Sequence, residues 1–265
     1  MILENVMVKM KMLFVSAIAM LLLLSCDKKQ LEPESREVFG SMCMVNLYES
    51  GTEKLYGKIF GRLEEIDNTF SSDEKTVENS SRVFQLGNET KKYHSEKGFA
   101  IEEIKEIAKK ANVKCMIVNL NGKVFVQGSK TDKTPWRIGI KNPANPNGIS
   151  IAVLTGINNA SVMTKAEFAD EMNTSRKYPS VTVIGTDSIY ADNCSSYIFD
   201  LLNSDLPEEA RRDSSTDEKI SEICERLRKR ENKLVIVDAD GRIFASKELE
   251  GYLGASLDDY EIVFK

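Results

Sequence analysis

Asp192 and Ser196 are the two residues of this sequence whose types and spacing best suit a chemical role. They stand four positions apart in a helix predicted over about 191–202, so their side-chain oxygens share one face. A carboxylate and a hydroxyl that converge in this way suit a hard cation such as Mg²⁺, which takes few protein oxygens and keeps waters or phosphates. An aspartate near a helix start can instead cap the helix or interact with its dipole, and both interpretations stay open.

Histidine and cysteine chemistry is restricted by the composition. His94 is the only histidine, which excludes zinc sites built on two or three imidazoles. Cys43, Cys115, Cys194 and Cys224 show no C-x-x-C or other metal-type spacing. In an exported protein they could form disulfides, but their apolar surroundings favour buried, unpaired thiols.

Charge and turn signals exclude two further kinds of binding. The net charge of −5 gives no electrostatic footprint for nucleic acid, so no nucleic-acid partner is expected. Residues 238–241, Asp-Ala-Asp-Gly, begin like a calcium loop but lack the later ligands. They are interpreted as a hairpin turn.

The N-terminal segment predicts export. Lys9 and Lys11 precede an apolar run from Leu13 to Leu24. Ser25 and Cys26 follow this run, and charged residues begin directly after Cys26. A positive region followed by a short apolar region and a small residue is typical of a secretory signal. The Leu-Leu-Ser-Cys sequence resembles a bacterial lipobox, which implies lipidation of Cys26. The alternative is a single transmembrane anchor, which needs about 20 apolar residues, and this run is shorter.

The predicted organisation has three parts. Residues 1–25 are a lipoprotein signal peptide, 26–36 a polar lipid tether, and 37–265 a folded domain. The mature protein is therefore expected outside the cytoplasm, anchored to a membrane on the periplasmic side or at the cell surface of a bacterium.

Hydrophobic periodicity predicts a mixed fold. Helices are predicted over about 52–70, from 101 onwards, over 191–202 and up to 230, and strands over 38–48, 113–120, 124–127, 136–140, 149–154, 181–184, 234–237 and 242–245. Asn121-Gly122 predicts a two-residue hairpin. Residues 71–96 are polar and are predicted to be irregular. Hairpins mixed with helices indicate the α+β class.

Several segments together resemble the ApbE family, whose members are exported flavin transferases that attach FMN from FAD to a protein threonine. Residues 180–184 with 191–199 resemble its SVTVI…ADALSTAxF segment, and 134–140 resemble PWRIGIxxP. Residues 97–100 resemble the end of GGIAKGYA, and 118–122 stand where the family has NLGG. The resemblance covers most of the chain and implies a single, shortened ApbE-like domain, related to the T-fold, behind the lipoprotein signal.

The resemblance also implies a magnesium site. Asp192 and Ser196 match the metal-binding Asp and Thr of ADALST, and the main-chain carbonyl of Glu96 matches the third protein ligand. Mg²⁺ in such a site would neutralise charge on the FAD pyrophosphate during phosphoryl transfer.

Binding of the flavin nucleotide is implied for three more residues. Lys97 and Gly98 match the lysine and glycine of GGIAKG, and Thr164 matches the threonine of AVATSGxYxR. Lys97 could face a phosphate or could be an exposed lysine at the end of a loop.

One departure keeps two functions open. The HxIDPxTG motif, which carries the family's catalytic aspartate, has no counterpart, so no catalytic residue is assigned. The first hypothesis is an enzyme, either a Mg²⁺-dependent FAD:protein FMN transferase with an acceptor protein as partner or a residual FAD pyrophosphatase. The second is a catalytically degenerate lipoprotein that binds a flavin or another protein.

Overall fold

The computed structural model describes residues 31–70, 72–86, 89–130, 132–167, 176–204, 215–256 and 260–265. The chain divides into a unit Met1–Leu31, of which Leu31 alone is described, and a compact unit Glu32–Lys265. The predicted signal peptide, Cys26 and the first part of the tether lie outside the described residues. Within those residues, no helix is both long and apolar enough to cross a membrane.

Five α-helices and fourteen strands are described in the compact unit. The helices are α1 (Glu53–Thr69), α2 (Glu74–Asn79), α3 (Glu96–Lys110), α4 (Ser188–Asn203) and α5 (Ser215–Arg228). The strands are β1 (Glu34–Val38), β2 (Ser41–Asn46), β3 (Ser81–Leu86), β4 (Glu89–His94), β5 (Met116–Leu120), β6 (Lys123–Gln127), β7 (Arg137–Ile140), β8 (Ala152–Thr155), β9 (Ala160–Ala166), β10 (Ser180–Gly185), β11 (Lys233–Val237), β12 (Ile243–Ala245), β13 (Leu253–Ala255) and β14 (Ile262–Phe264).

A nine-stranded sheet organises the unit. Its order is β1-β2-β5-β6-β9-β10-β11-β12-β14, and every pair is antiparallel except β12 with β14. A three-stranded sheet, β13-β8-β7, and the hairpin β3-β4 complete the strands. The α+β class predicted from the sequence is confirmed.

The large sheet carries apolar side chains on both faces. On one face, residues such as Val162, Ile184 and Val235 pack in a cluster with Ile138 and Leu154 of the small sheet. On the other, α4 contacts β9 and β10, and α3 packs on α4. Since β10 is covered from both sides, all six of its residues are buried.

Several predicted elements are confirmed by the structure. Helix α1 begins after Thr52, whose side chain accepts a hydrogen bond from the Leu55 amide. The Asn121-Gly122 turn joins β5 to β6 with positive φ at both residues, as a two-residue hairpin requires. The turn at Asp238 is also confirmed, since its carboxylate accepts amide hydrogens from Asp240 and Arg242.

Three predictions about the N-terminal third differ wholly or in part from the structure. Strand β2 (Ser41–Asn46) confirms most of the strand predicted over 38–48, but Val38 belongs to β1 and a turn at Phe39-Gly40 separates the two strands. Strand β1 begins at Glu34, inside the segment predicted as a tether up to residue 36. Residues 71–96 contain α2 and the hairpin β3-β4 rather than an irregular segment. A positive φ at a bulky residue such as Phe39 is uncommon, so the apolar run gave no turn signal.

The four cysteines that the structure describes are buried, free thiols, which confirms the second interpretation of their chemistry. Burial raises the pKa of Cys194 to about 12 and also raises the pKa values of Cys43, Cys115 and Cys224. These thiols are therefore neutral at physiological pH and unreactive in the folded chain.

Candidate functional site

Asp192 lies in the second turn of α4 and is almost fully buried, with 7% of its surface exposed. The helix begins earlier than the sequence predicted, and Asp187 is its N-cap, accepting a hydrogen bond from the Tyr190 amide. The capping interpretation of Asp192 is therefore excluded. A buried carboxylate that does not cap needs partners for its charge.

Both oxygens of the Asp192 carboxylate have such partners. The Ser95 hydroxyl donates to Oδ2 at 2.6 Å, and the Lys123 ammonium forms an ion pair with Oδ1. Ser95 is the N-cap of α3, and its Oγ also accepts a hydrogen bond from the Gly98 amide at 2.8 Å. The N-terminus of α3 is thus attached directly to the carboxylate on α4.

Lys123 is fixed by the hairpin that precedes it. It is the first residue of β6, directly after the Asn121-Gly122 turn. Its Nζ donates a hydrogen bond to the main-chain oxygen of Thr164 on β9 at 2.6 Å and forms the ion pair with Asp192. Only 14% of the Lys123 side chain is exposed. Lys123 therefore joins three elements, β6, β9 and α4, at one point.

A cleft of about 610 Å³ opens beside this ion pair, a volume within the usual range for small-molecule sites. Four residues predicted from the sequence line it together: Lys97, Thr164, Asp192 and Ser196. Thr164 is held by a hydrogen bond between its Oγ1 and that of Thr182 at 2.8 Å.

The cleft is strongly basic. Five cationic side chains line it, and Asp192 is the one carboxylate among the described lining residues. The cations are Lys97, Lys123, Arg137, Lys141 and Lys165. Although the chain has a net charge of −5, this concentration of positive charge in one cleft attracts an anionic ligand.

Gly98 and Glu96 do not belong to the described lining, although the sequence predicted both at the site. A Cβ on Gly98 would lie 2.2 Å from Ser95 Oγ and 2.8 Å from the Ser188 carbonyl oxygen, so Gly98 permits close packing of α3 on α4. Glu96 lies in the first turn of α3, where partial burial and the nearby charge of Asp67 raise its pKa.

The residues at Asp192 do not fit a magnesium ion as they are arranged. A divalent cation bound to the free lone pairs of Oδ1 would lie next to the Lys123 ammonium, and like charges at contact distance repel. In α3 the Glu96 carbonyl belongs to the first helical turn, where i to i+4 hydrogen bonds take up such oxygens. The magnesium site at Asp192, Ser196 and Glu96 stays a prediction, which this arrangement does not favour.

Sequence reasoning missed the two direct partners of Asp192. Ser95 carries a recognisable N-cap signal, since a serine just before a helical pattern is a preferred cap. Lys123 carries none beyond its place after a hairpin turn. Both contacts join residues far apart in the chain, and periodicity does not reveal such pairs.

The comparisons with known proteins agree on one family. The family model described as the ApbE family matches residues 95–217, which contain Lys97, Lys123 and Asp192. No curated protein sequence matches the chain significantly.

Solved structures of ApbE proteins share the fold. The flavin transferase ApbE from Vibrio cholerae superposes with a TM-score of 0.60 at 12% identity, over 84% of this chain and 99% of its own. The ApbE protein from Thermotoga maritima gives 0.61 at 15% identity, over 84% and 99%. The apo flavinyl transferase ApbE from Pseudomonas stutzeri gives 0.58 at 15% identity, over 88% and 100%.

Proposed function

We propose that this chain, whose residues 95–217 match the ApbE family model, is a flavin transferase of that family that binds FAD in the cleft beside Asp192. Two of the neighbours that share its fold are flavin transferases by name. Their activity is carried to this chain as a proposal, because identities of 12–15% establish the fold alone.

The basic lining of the cleft carries this proposal. FAD has two phosphoryl groups, and Lys97, Lys123 and Arg137 offer ammonium and guanidinium donors in one cleft. Charge-assisted hydrogen bonds to phosphate oxygens are about twice as strong as neutral ones. The same lining includes the apolar side chains of Ile117 and Val124, against which an uncharged ring can pack.

The proposed reaction transfers FMN to a protein threonine. The threonine oxygen attacks the FMN phosphorus and forms a new P–O bond, while the P–O bond to AMP breaks and AMP leaves with its electron pair. The hydroxyl proton passes to a base. In this step the cations of the cleft neutralise the charge that moves onto the leaving phosphate and hold the diphosphate in place.

A second candidate is an FAD-binding protein that performs no transfer. One observation favours it: Asp192, the one carboxylate of the described lining, is occupied by Ser95 and Lys123. Without a free proton acceptor, the transfer step would lose about 10²–10⁴-fold in rate.

Flavin fluorescence measures the proposed binding. FAD and riboflavin are titrated separately into protein that begins at Asp27 and so contains the whole compact unit. Because riboflavin lacks phosphate, FAD should bind at least about tenfold more tightly, and added salt should weaken FAD binding. Equal affinities, or no FAD binding, would contradict the proposal.

Product analysis separates the two candidates. The FAD complex is incubated with extracts of exported proteins as threonine donors, and FMN-labelled protein and AMP are quantified by chromatography. Equal amounts of both establish the transferase. Bound FAD recovered intact establishes the second candidate.

The proposal also includes the site of action. We infer from the leader sequence that the protein is exported and anchored to a membrane through lipidated Cys26. Its acceptor partner would then be another protein on the same side of the membrane.

A further inference from the structure

The ion pair between Lys123 and Asp192 lies where the family resemblance expected a metal. The Lys123 ammonium occupies Oδ1 of the carboxylate, and the Ser95 hydroxyl occupies Oδ2. A single positive charge is thus already present at the carboxylate, supplied by the chain itself.

We propose that the Lys123 ammonium replaces the divalent cation of this cleft, so that the phosphates of the bound ligand are neutralised by side chains alone. The claim that no divalent cation binds here rests on the geometry at Asp192. The claim that side chains neutralise the ligand phosphates rests on the proposed function, because it takes a nucleotide diphosphate as the ligand.

Burial holds Lys123 in this position. An ammonium with 14% of its side chain exposed loses most of its hydration and needs fixed partners. The Asp192 carboxylate and the Thr164 carbonyl oxygen supply them. If Lys123 left, a nearly buried carboxylate would lose its countercharge, and breaking a buried pair by removing one partner is strongly unfavourable.

The Lys123 ammonium can still donate a hydrogen bond to a ligand in the cleft. It has three N–H donors, of which one is donated to the Thr164 carbonyl oxygen, and the ion pair with Asp192 takes up at most one more. Lys123 also lines the cleft, so its remaining donor is available to a phosphate oxygen there. Lys97, which lines the same cleft, adds a second ammonium whose Nζ is 3.4 Å from Ser41 Oγ.

Mn²⁺ binding tests the exclusion directly. Mn²⁺ replaces Mg²⁺ as a paramagnetic probe, and its free concentration is followed by EPR in titrations without nucleotide. The unaltered protein and the Asp192→Asn variant should bind the same amount of Mn²⁺, because Asp192 holds no metal ion in the unaltered protein. Lys123→Gln should gain such binding, because the carboxylate then faces no cation. Lys123→Arg should not gain it, because the charge remains.

Lys165→Gln is the matched control. Lys165 is an exposed lysine of the same cleft, so this variant removes an equal charge without opening Asp192. It should gain no Mn²⁺ binding. Asp192-dependent binding by the unaltered protein would overturn the proposal even if Lys123→Gln fails to fold. A folded Lys123→Gln variant that gains none would also overturn it.

FAD titrations with EDTA and with Mg²⁺ complete the test. The affinity of the unaltered protein should be the same in both, whereas Lys123→Gln should bind FAD about tenfold more weakly in EDTA and recover with Mg²⁺. If the unaltered protein required Mg²⁺ to bind FAD, the proposal that Lys123 replaces the divalent cation would be overturned. Failure to bind FAD under either condition would overturn the proposed function, while the Mn²⁺ result would still decide the exclusion.

Discussion

Ser95 has two roles at the residue scale. Its hydroxyl oxygen accepts the Gly98 amide hydrogen and so caps α3, while the hydroxyl hydrogen is donated to Asp192 at 2.6 Å. Loss of this one hydroxyl removes a cap and leaves a buried carboxylate oxygen short of a partner. The two costs arise together, since both depend on the same atom.

We predict that Ser95→Ala lowers the free energy of unfolding by about 2–3 kcal/mol, which combines a cap with a lost bond to a buried charge. Urea denaturation measures it. Thr52→Ala is the control, since Thr52 caps α1 from an exposed position and should cost only about 1 kcal/mol. Equal losses in the two variants would show that the bond to Asp192 contributes nothing.

The sequence identified part of the site because single residues carried recognisable chemistry. Asp192 and Ser196, four apart on one helix, line the same cleft as Lys97 and Thr164. What it did not show is the ionic state of the site. That state depends on Lys123, whose position is set by the antiparallel pairing of β6 with β9.

The contact between α3 and α4 determines the site at the element scale. Gly98 lies in the first turn of α3 against α4, where a Cβ would lie 2.8 Å from the Ser188 carbonyl oxygen, closer than real Cβ atoms come, and 3.1 Å from Ile189 Cα. Ser95 reaches Asp192 only because the two helices approach this closely. Gly98 therefore positions the carboxylate's partner without lining the cleft.

Gly98→Ala should destabilise the protein by about 1–3 kcal/mol, because the added methyl group must move α3 away from the α4 backbone. Gly57→Ala is the matched control within α1. A Cβ there meets nothing within 4 Å, so the helix should gain up to about 1 kcal/mol. Thermal unfolding of both variants measures the difference, and a neutral Gly98→Ala would disprove the packing role.

Element prediction failed where local signals were weak. Residues 71–96 contain the six-residue helix α2 and a charged hairpin, neither of which shows a clear apolar period. Tertiary contacts hold this segment: the Tyr93 hydroxyl donates to Asp200, and the Asn193 side chain donates to the Ser80 carbonyl oxygen. By contrast, α1 and α4 have long apolar patterns that specify them locally.

At the scale of the whole molecule, charge is distributed unevenly. The chain is acidic overall, yet the described residues that line the cleft beside Asp192 include five cations and one carboxylate. An acidic surface limits non-specific contact with nucleic acid and anionic lipid. The proposed membrane attachment would then depend on the predicted leader and on the proposed lipid at Cys26.

Cys26→Ser should release the protein from membranes, because acyl chains contribute about 0.8 kcal/mol for each buried CH₂ group and the variant has no thiol to carry them. Fractionation of cells, with high-salt washing of the membranes, measures the release, and radioactive palmitate reports the modification. Cys43→Ser is the control: Cys43 is a buried thiol within the fold, so this variant should stay labelled and membrane-bound. A Cys26→Ser protein that remains in the washed membranes would instead favour a transmembrane anchor formed by the apolar run from Leu13 to Leu24.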